Sequence, residues 1–184
     1  MSIIQDDIIS YIEEEKQILD KLKEDKNIIT LINYLLGARN NEKRIWIMGN
    51  GGSGASASHW VNDFNKGMLT NRPFDMICLN DNVATLTAIA NDDSYENVFQ
   101  KQLEYKIKKD DLVIGISGSG NSKNVVKAFD YANCMGAITF AIVGFNGGQL
   151  KKVAKQSIHI ETHNMGIFED ISMVIDHIIF DLFK

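Results

Sequence analysis

The chain has 184 residues, of which 45% are hydrophobic and 23% are charged, with a formal net charge of -5 and a pI near 5.3. This composition is typical of a globular protein with one substantial core, and the acidic balance argues against a general nucleic-acid binder. The sequence shows no apolar run near the roughly 18 residues that span a bilayer and no signal-peptide pattern. We therefore expect a single cytoplasmic domain over residues 1–184, with neither nucleic acid nor membrane as a partner.

The first 40 residues predict a helical arm. Between about Asp6 and Lys26, apolar residues recur at helical intervals, with charged residues on the opposite face. A second and more apolar helix is predicted over residues 28–36, ending near Gly37. Such an arm commonly packs on another subunit, and packing on its own sheet is the alternative. We expect residues 1–40 to contribute an oligomer contact.

A glycine-rich turn follows the first predicted strand, residues 44–48. The turn reads Gly49-Asn-Gly-Gly-Ser-Gly54, and Ser53 is predicted to cap a helix that continues to about Asn65. Glycines in the turn allow the backbone to approach a ligand without obstruction by Cβ atoms. One such turn alone is weak evidence for a binding site.

A second small-residue turn follows the strand predicted over Leu112–Ile116, which is apolar, free of charge and suited to the centre of a parallel sheet. The turn alternates serine with glycine through Ser122, and a helix is predicted from about Asn121. Hydroxyls, backbone N–H groups and a helix N-terminus together form a donor surface suited to a phosphate. An ordinary strand-to-helix turn is the alternative at this point.

The remaining elements alternate between short strands and helices. Strands are predicted at 76–79, 138–143 and 157–160, and helices at 83–90, 95–107, 125–134, 149–154 and 167–183. Five apolar strands alternating with helices indicate an α/β fold with a doubly wound, five-stranded parallel sheet. Both small-residue turns would then lie at the carboxyl edge of the sheet, where ligands bind.

Three motifs in order resemble the sugar isomerase (SIS) domain family: Met48–Ser53 with His59 six residues later, Leu86–Asp92, and Ile116–Ser122. More narrowly, the chain resembles the phosphoheptose isomerases, which convert sedoheptulose 7-phosphate for cell-surface polysaccharide synthesis. The resemblance covers essentially the whole chain. It implies an aldose–ketose isomerase that works through an enediol, as a homotetramer with shared active sites and a phosphorylated sugar as ligand.

The resemblance also implies which residues bind substrate. The glycine turn would contact the sugar phosphate, a pair after the fourth helix would reach its hydroxyls, and the serine turn would grip its phosphate. These residues are Asn50, Gly51, Gly52 and Ser53 in the first turn, Asn91 and Asp92 in the pair, and Ser117, Gly118, Ser119 and Ser122 in the last turn. Simple loop chemistry is the alternative for the pair.

Members of the phosphoheptose isomerase family hold zinc with a His and a Glu four residues on, joined by a Gln and a His of the last helix. The first pair here is His59 and Asp63, and alignment of the last helix puts Phe168 at the Gln position and Asp176 at the His position. Phe cannot bind zinc, so His59, Asp63 and Asp176 would form a harder, three-ligand set. Zinc, another divalent ion or no metal are the alternatives.

Enediol chemistry requires a base for the proton on carbon and an acid for the oxygens. The candidates are Asp63, Glu169 and His177, together with Asp176. Glu169 and Asp176 are seven residues apart on one helix face, and two solvated charges are the alternative. His177 follows the aligned position by one residue, a rotation of about 100° on a helix, so a structural role is its alternative.

Two other functions are open at this point. A non-catalytic SIS tetramer could bind a replication-initiator protein or sense a sugar phosphate. A nucleotide-binding Rossmann protein is the second, but the glycines are not spaced as G-x-G-x-x-G and residues 69–71 replace the expected acidic residue.

Overall fold

A computed structural model describes residues 3–66 and 72–184, so residues 69–71 lie outside the described part of the chain. Five parallel strands form one sheet in the order β2-β1-β3-β4-β5. The strands are β1 Ile45–Gly49, β2 Met76–Cys78, β3 Leu112–Ser117, β4 Ile138–Val143 and β5 Gln156–His159. The predicted α/β fold with a doubly wound parallel sheet is confirmed.

Helices cover both faces of the sheet. They are α1 Ile3–Leu22, α2 Lys26–Asn40, α3 Gly52–Val61, α4 Val83–Asp92, α5 Gln100–Leu103, α6 Lys123–Cys134, α7 Gly148–Val153 and α8 Met165–Phe183. A π-helical turn, Asn62–Lys66, extends α3, and a 3-10 turn, Tyr95–Asn97, precedes α5. No helix within the described ranges is both long and apolar enough to cross a bilayer.

Successive strand residues point to opposite faces, and this alternation produces two hydrophobic cores. Ile47 and Ile114 belong to the core beneath α1, α2, α3 and α8. Trp46 and Val113, one residue earlier in each strand, belong to the core beneath α5, α6 and α7. Since both faces are covered, the strands are almost continuously apolar, as a buried parallel sheet requires.

The predicted helix over residues 95–107 is wrong. The segment forms the 3-10 turn and the four-residue helix α5, and then leaves helical geometry at Glu104, whose ψ is 132°. Tyr105 has a left-handed φ of 63° and is fully exposed. Val98, Phe99 and Leu103 of this segment are buried, but in shorter turns than one continuous helix.

The order of the strands creates a crevice between β1 and β3. β1 leads into α3 on one face of the sheet, whereas β3 leads into α6 on the other face. The two strands are neighbours, with Gly49 in register with Ile116. The glycine turn and the serine turn therefore lie side by side at the carboxyl edge, the position where open α/β sheets bind ligands.

Candidate active site

The serine turn is organised by its own hydroxyls. The Ser117 hydroxyl donates to Ser122 Oγ at 3.3 Å and accepts from the Gly120 N–H at 3.2 Å, while the Asn121 N–H donates to Ser119 Oγ at 3.2 Å. α6 begins directly after Ser122 and has no side-chain cap. The turn thus places three hydroxyls beside an uncapped helix N-terminus, an arrangement that suits an anion.

Glycines allow neighbouring segments to pack closely on the serine turn. Gly120 has a φ of +64°, and a Cβ there would lie 2.0 Å from the carbonyl oxygen of Gly147. A Cβ on Gly118 would lie 2.5 Å from Met165 Sδ of α8 and 3.3 Å from Phe168. Phe168 is fully buried, so the residue at the family's Gln position packs in the core beneath the turn.

The glycine turn leaves the N-terminus of α3 open. Asn80 fixes its first residue, since its Oδ1 accepts from the Gly49 N–H at 3.2 Å and its Nδ2 donates to the Gly49 carbonyl at 2.8 Å. Gly51 precedes the helix with φ 54° and ψ -126°, a conformation that favours glycine, and no side chain caps the helix. The prediction that Ser53 is the cap is therefore wrong: Ser53 lies inside the first turn of α3, buried against Gly49.

The carboxylate of Glu169 lies against this open helix N-terminus. A Cβ on Gly52 would lie 2.1 Å from Glu169 Oε1, so only glycine leaves room for the carboxylate there. Glu169 is half-buried and has no hydrogen bond or ion pair with the described residues. A helix N-terminus attracts a carboxylate, so Glu169 provides a proton acceptor at the binding turn.

The side chain of Asn50 joins the glycine turn to the start of α6. Asn50 and Asn124 exchange two amide hydrogen bonds, each of 2.9 Å, and Tyr95 donates to Asn50 Oδ1 at 2.8 Å. Sequence reasoning missed both partners. Asn124 offered a signal, because it is a polar residue on the buried face of α6 and is only 2% exposed.

The structure places Asn91 and Asp92 at the exposed end of α4. Asn91 Nδ2 donates to Asp92 Oδ1 at 2.8 Å, and the described residues provide no hydrogen bond from this pair to either turn. Their role in binding sugar hydroxyls stays a prediction.

Two histidines and two aspartates meet where α3 and its π-helical turn pack on α8. His59 Nε2 lies 3.2 Å from His177 Nε2, 3.4 Å from Asp63 Oδ2 and 3.8 Å from Asp176 Oδ2. One ligand atom from each of the four residues lies within 4.8 Å of the others. From its position one residue after the aligned site, the side chain of His177 is expected to be rotated away. In the structure its Nε2 lies 3.2 Å from His59 Nε2, so His177 joins the cluster.

Asp176 is the buried member of this His/Asp cluster. Its side chain is fully buried, and the residues that the structure describes give neither carboxylate oxygen a hydrogen-bond partner. Burial, and secondarily the negative charge of Asp63, raises the pKa of Asp176 to about 8. A buried carboxylate that lacks donors is a group that a cation would satisfy.

The donor set of the cluster fits a divalent metal ion. Imidazole nitrogens and carboxylate oxygens at this spacing suit divalent ions such as zinc, or the harder manganese, and the oxygens of Asp176 would gain a ligand bond. The cluster comprises the expected His59, Asp63 and Asp176 and adds His177. These four residues could therefore hold a metal although Phe168 cannot contribute.

The His/Asp cluster lies farther along the same two helices as the glycine turn. His59 follows Gly52 by seven residues and Asp176 follows Glu169 by seven, a rise of about 10 Å along each helix. A cleft of about 640 Å³ opens beside the cluster and is lined also by residues near the C-terminus of α8. The His/Asp cluster therefore lies about two helical turns beyond Glu169 on the same pair of helices.

Comparison with known proteins identifies the family. The sequence model of the family described as "SIS domain" matches residues 10–144. A Thermoplasma acidophilum protein named "Probable phosphoheptose isomerase" is 36% identical over 174 residues, which is 94% of this chain and 95% of that protein. A Helicobacter pylori protein named "Phosphoheptose isomerase" is 33% identical over 97% of this chain and 93% of its own length.

A solved structure of a phosphoheptose isomerase from Francisella tularensis superimposes with a TM-score of 0.92 at 24% identity, covering 99% of this chain and 98% of that chain. At this identity the likeness establishes the fold. Together with the sequence matches, it agrees with the parallel sheet and the two adjoining turns. The chain therefore belongs to the SIS-domain family, which confirms the resemblance that its three motifs indicated.

Proposed function

We propose that this chain is an aldose–ketose isomerase that acts on sedoheptulose 7-phosphate or a similar phosphorylated ketose through an enediol. The observation that carries the proposal is the position of Glu169, an unpaired carboxylate held against the glycine turn beside a cradle suited to a phosphate. A carboxylate at that point can accept the carbon-bound proton that enediol formation removes. The relatives named phosphoheptose isomerase support the same substrate class.

The charges of the two turns support one orientation of the bound substrate, with its phosphate on the serine turn. The Glu169 carboxylate would repel a phosphate dianion from the glycine turn, although helix α3 is uncapped there. The serine turn offers hydroxyls and backbone N–H groups, and the nearby Glu96 carboxylate is paired with Lys123 and Lys127. We therefore place the phosphate on Ser117, Ser119 and Ser122, with Gly118 giving close backbone approach. The carbon chain of the sugar then extends past Asn50, Gly51 and Gly52 toward the His/Asp cluster.

Glu169 is our choice for the base. Its carboxylate takes the proton from the hydroxyl-bearing carbon next to the carbonyl, the C–H electron pair forms the carbon–carbon double bond of the enediol, and the carbonyl oxygen gains a proton. The protonated Glu169 then returns its proton to the former carbonyl carbon, while the other oxygen loses its proton to become the new carbonyl. We assign the transfer of the proton between the two oxygens to His177, at the exposed edge of the cluster.

We further propose that His59, Asp63 and Asp176 hold a divalent metal ion, while His177 at the edge of the cluster serves proton transfer. When bound, such an ion supplies Lewis-acid polarisation of a substrate oxygen. The role of Asp63 is then that of a ligand, because one of its oxygens faces His59 and the other accepts from Asn62 Nδ2 at 3.0 Å. This arrangement leaves Glu169 as the carboxylate available for the carbon-bound proton.

The helical arm supports a proposal about assembly. α1 packs into its own core through Ile18 and Leu22, but its N-terminal half exposes Ile4, Ile8 and Ile12 to between 45% and 70%. Buried against another copy, this face would contribute to a homotetramer in which residues 1–40 of each single-domain chain form subunit contacts. We place this assembly in the cytoplasm, in synthesis of a surface-polysaccharide precursor.

One experiment tests the proposed activity. The purified chain, supplied in turn with zinc and manganese, is incubated with sedoheptulose 7-phosphate in D₂O, and the substrate and product are followed by NMR. We expect an aldose phosphate to form and deuterium to enter at the carbons beside the carbonyl. A non-catalytic sugar-phosphate sensor or initiator-binding tetramer would give neither, and that result would reject the isomerase.

A further inference from the structure

Tyr95 lies where the glycine turn and the serine turn meet. Its hydroxyl donates to Asn50 Oδ1 at 2.8 Å, and Asn50 in turn pairs with Asn124, two residues after the serine turn. Tyr95 is 54% exposed, so it is not enclosed by the residues around it. Neither the family motifs nor the residue types of the turns point to this phenol.

The backbone of α6 determines the direction of every hydrogen bond in this chain of contacts. The N–H of Val125 can only donate, and it reaches Asn124 Oδ1 at 3.0 Å. Asn124 Oδ1 also accepts from Asn50 Nδ2, and the other end of the Asn124 amide is therefore Nδ2, which donates to Asn50 Oδ1. Because that carbonyl oxygen can only accept, Tyr95 must be the donor in its bond with Asn50.

This direction leaves the Tyr95 oxygen with lone pairs alone. A phenol carries a single O–H, and Tyr95 uses it on Asn50. A ligand atom that approaches the phenol must therefore bring its own hydrogen. A sugar hydroxyl meets that requirement, whereas an ionised phosphate oxygen carries only lone pairs and is repelled.

The segment that carries Tyr95 is tied to α6 as well. The next residue, Glu96, pairs with Lys123 at 2.9 Å and with Lys127 at 3.0 Å. These hydrogen bonds, first that of Lys123, lower the pKa of Glu96. Tyr95 is thus held to α6 through Glu96 and to the glycine turn through Asn50, which keeps the phenol at the junction of the two turns.

We propose that Tyr95 is a specificity residue that accepts a hydrogen bond from a hydroxyl of the sugar, and so distinguishes a sugar phosphate from phosphate alone. The proposal rests on the proposed function for the identity of the ligand, a phosphorylated sugar. It does not require turnover.

The substitution Tyr95→Phe tests the proposal, because it removes only the phenolic oxygen. Calorimetry measures the dissociation constants of sedoheptulose 7-phosphate and of inorganic phosphate for the wild-type chain and the variant. We expect the constant for the sugar phosphate to rise about three- to tenfold, as for loss of one neutral hydrogen bond. The constant for inorganic phosphate should be unchanged. Tyr105→Phe, at a fully exposed tyrosine outside the site, is the matched control.

Two results would overturn the role of Tyr95. Equal weakening of both ligands would mean that the phenol only supports the serine turn, and unchanged affinity for both would mean that it contacts no sugar hydroxyl. The test separates this role from the proposed reaction, because a wild-type chain that binds the sugar phosphate without converting it rejects the isomerase but still decides the role of Tyr95. A wild-type chain that binds no sugar phosphate would overturn both.

Discussion

Substitution of Asp176 by Asn should stabilise the metal-free protein while it weakens metal binding. The carboxyl group of Asp176 is fully buried without a hydrogen-bond partner, and its pKa rises from 3.8 to about 8. At pH 7 the folded chain therefore keeps a proton that the unfolded chain releases. The difference of about three units between pH 7 and the ordinary pKa of 3.8 lowers the stability of the folded state by about 4 kcal/mol.

The sign of the pH dependence follows from the raised pKa. The folded state binds this proton more tightly than the unfolded state, so the stability that it contributes is complete below about pH 4. It is lost as the pH rises toward about 8, at about 1.4 kcal/mol per unit. Asn cannot ionise and is equally unpartnered there, so Asp176→Asn should add about 2 to 4 kcal/mol to the free energy of unfolding at pH 7.

The assay is urea unfolding of chelator-treated protein between pH 4 and pH 9, with the exposed Asp181→Asn on the same helix as the control. The difference in unfolding free energy between Asp176→Asn and wild type should grow with pH and level off above pH 8. Added zinc or manganese should raise the melting temperature of wild type more than that of the variant. If the metal-free variant is no more stable than wild type at pH 7, the burial argument for Asp176 is refuted.

Three further substitutions address the two turns. Glu169→Gln should lower kcat about 100- to 10,000-fold with sugar-phosphate affinity retained. Glu13→Gln, on the exposed face of α1, is the control and should leave kcat unchanged. Equal kcat for both variants would reject Glu169 as the base. Gly52→Ala should displace the Glu169 carboxylate, 2.1 Å from the new Cβ, and lower kcat with little change in melting temperature. Gly120→Ala combines a φ of +64° with a backbone contact of 2.0 Å, so it should destabilise the fold by more than about 1 kcal/mol and weaken inorganic phosphate binding, measured by urea unfolding and calorimetry.

The strands and most helices were predictable because their apolar residues have a clear period. β4 has the predicted bounds, Ile138–Val143, and the last helix begins two residues before the predicted start. The segment 95–107 misled the prediction because burial of Val98, Phe99 and Leu103 satisfies helical spacing in short turns as well as in one helix. Periodicity reports which side chains are buried and says less about how long a helix continues.

The serine turn was predictable because its residue types act locally, within six positions. The contacts of Glu169 with Gly52 and of Tyr95 with Asn50 were not, since each joins elements far apart in the chain. The position of His177 was also missed. One residue on a helix rotates a side chain by about 100°, yet the imidazole of His177 still contacts that of His59. Sequence reasoning thus identified the candidates, and packing of α3 against α8 determined their neighbours.

The helices that carry the two halves of the site pack on different hydrophobic cores. The serine turn continues into α6, which packs on one core, while Glu169 and the His/Asp cluster stand on α3 and α8, which pack on the other. Substitutions at well-separated positions usually have additive effects, so changes farther along α8, beyond Met165 and Phe168, which contact Gly118, need not disturb the anion cradle. In such a fold, evolution can replace the metal-ligand residues of the final helix, here with a buried Asp176 beside His177, while phosphate binding is retained.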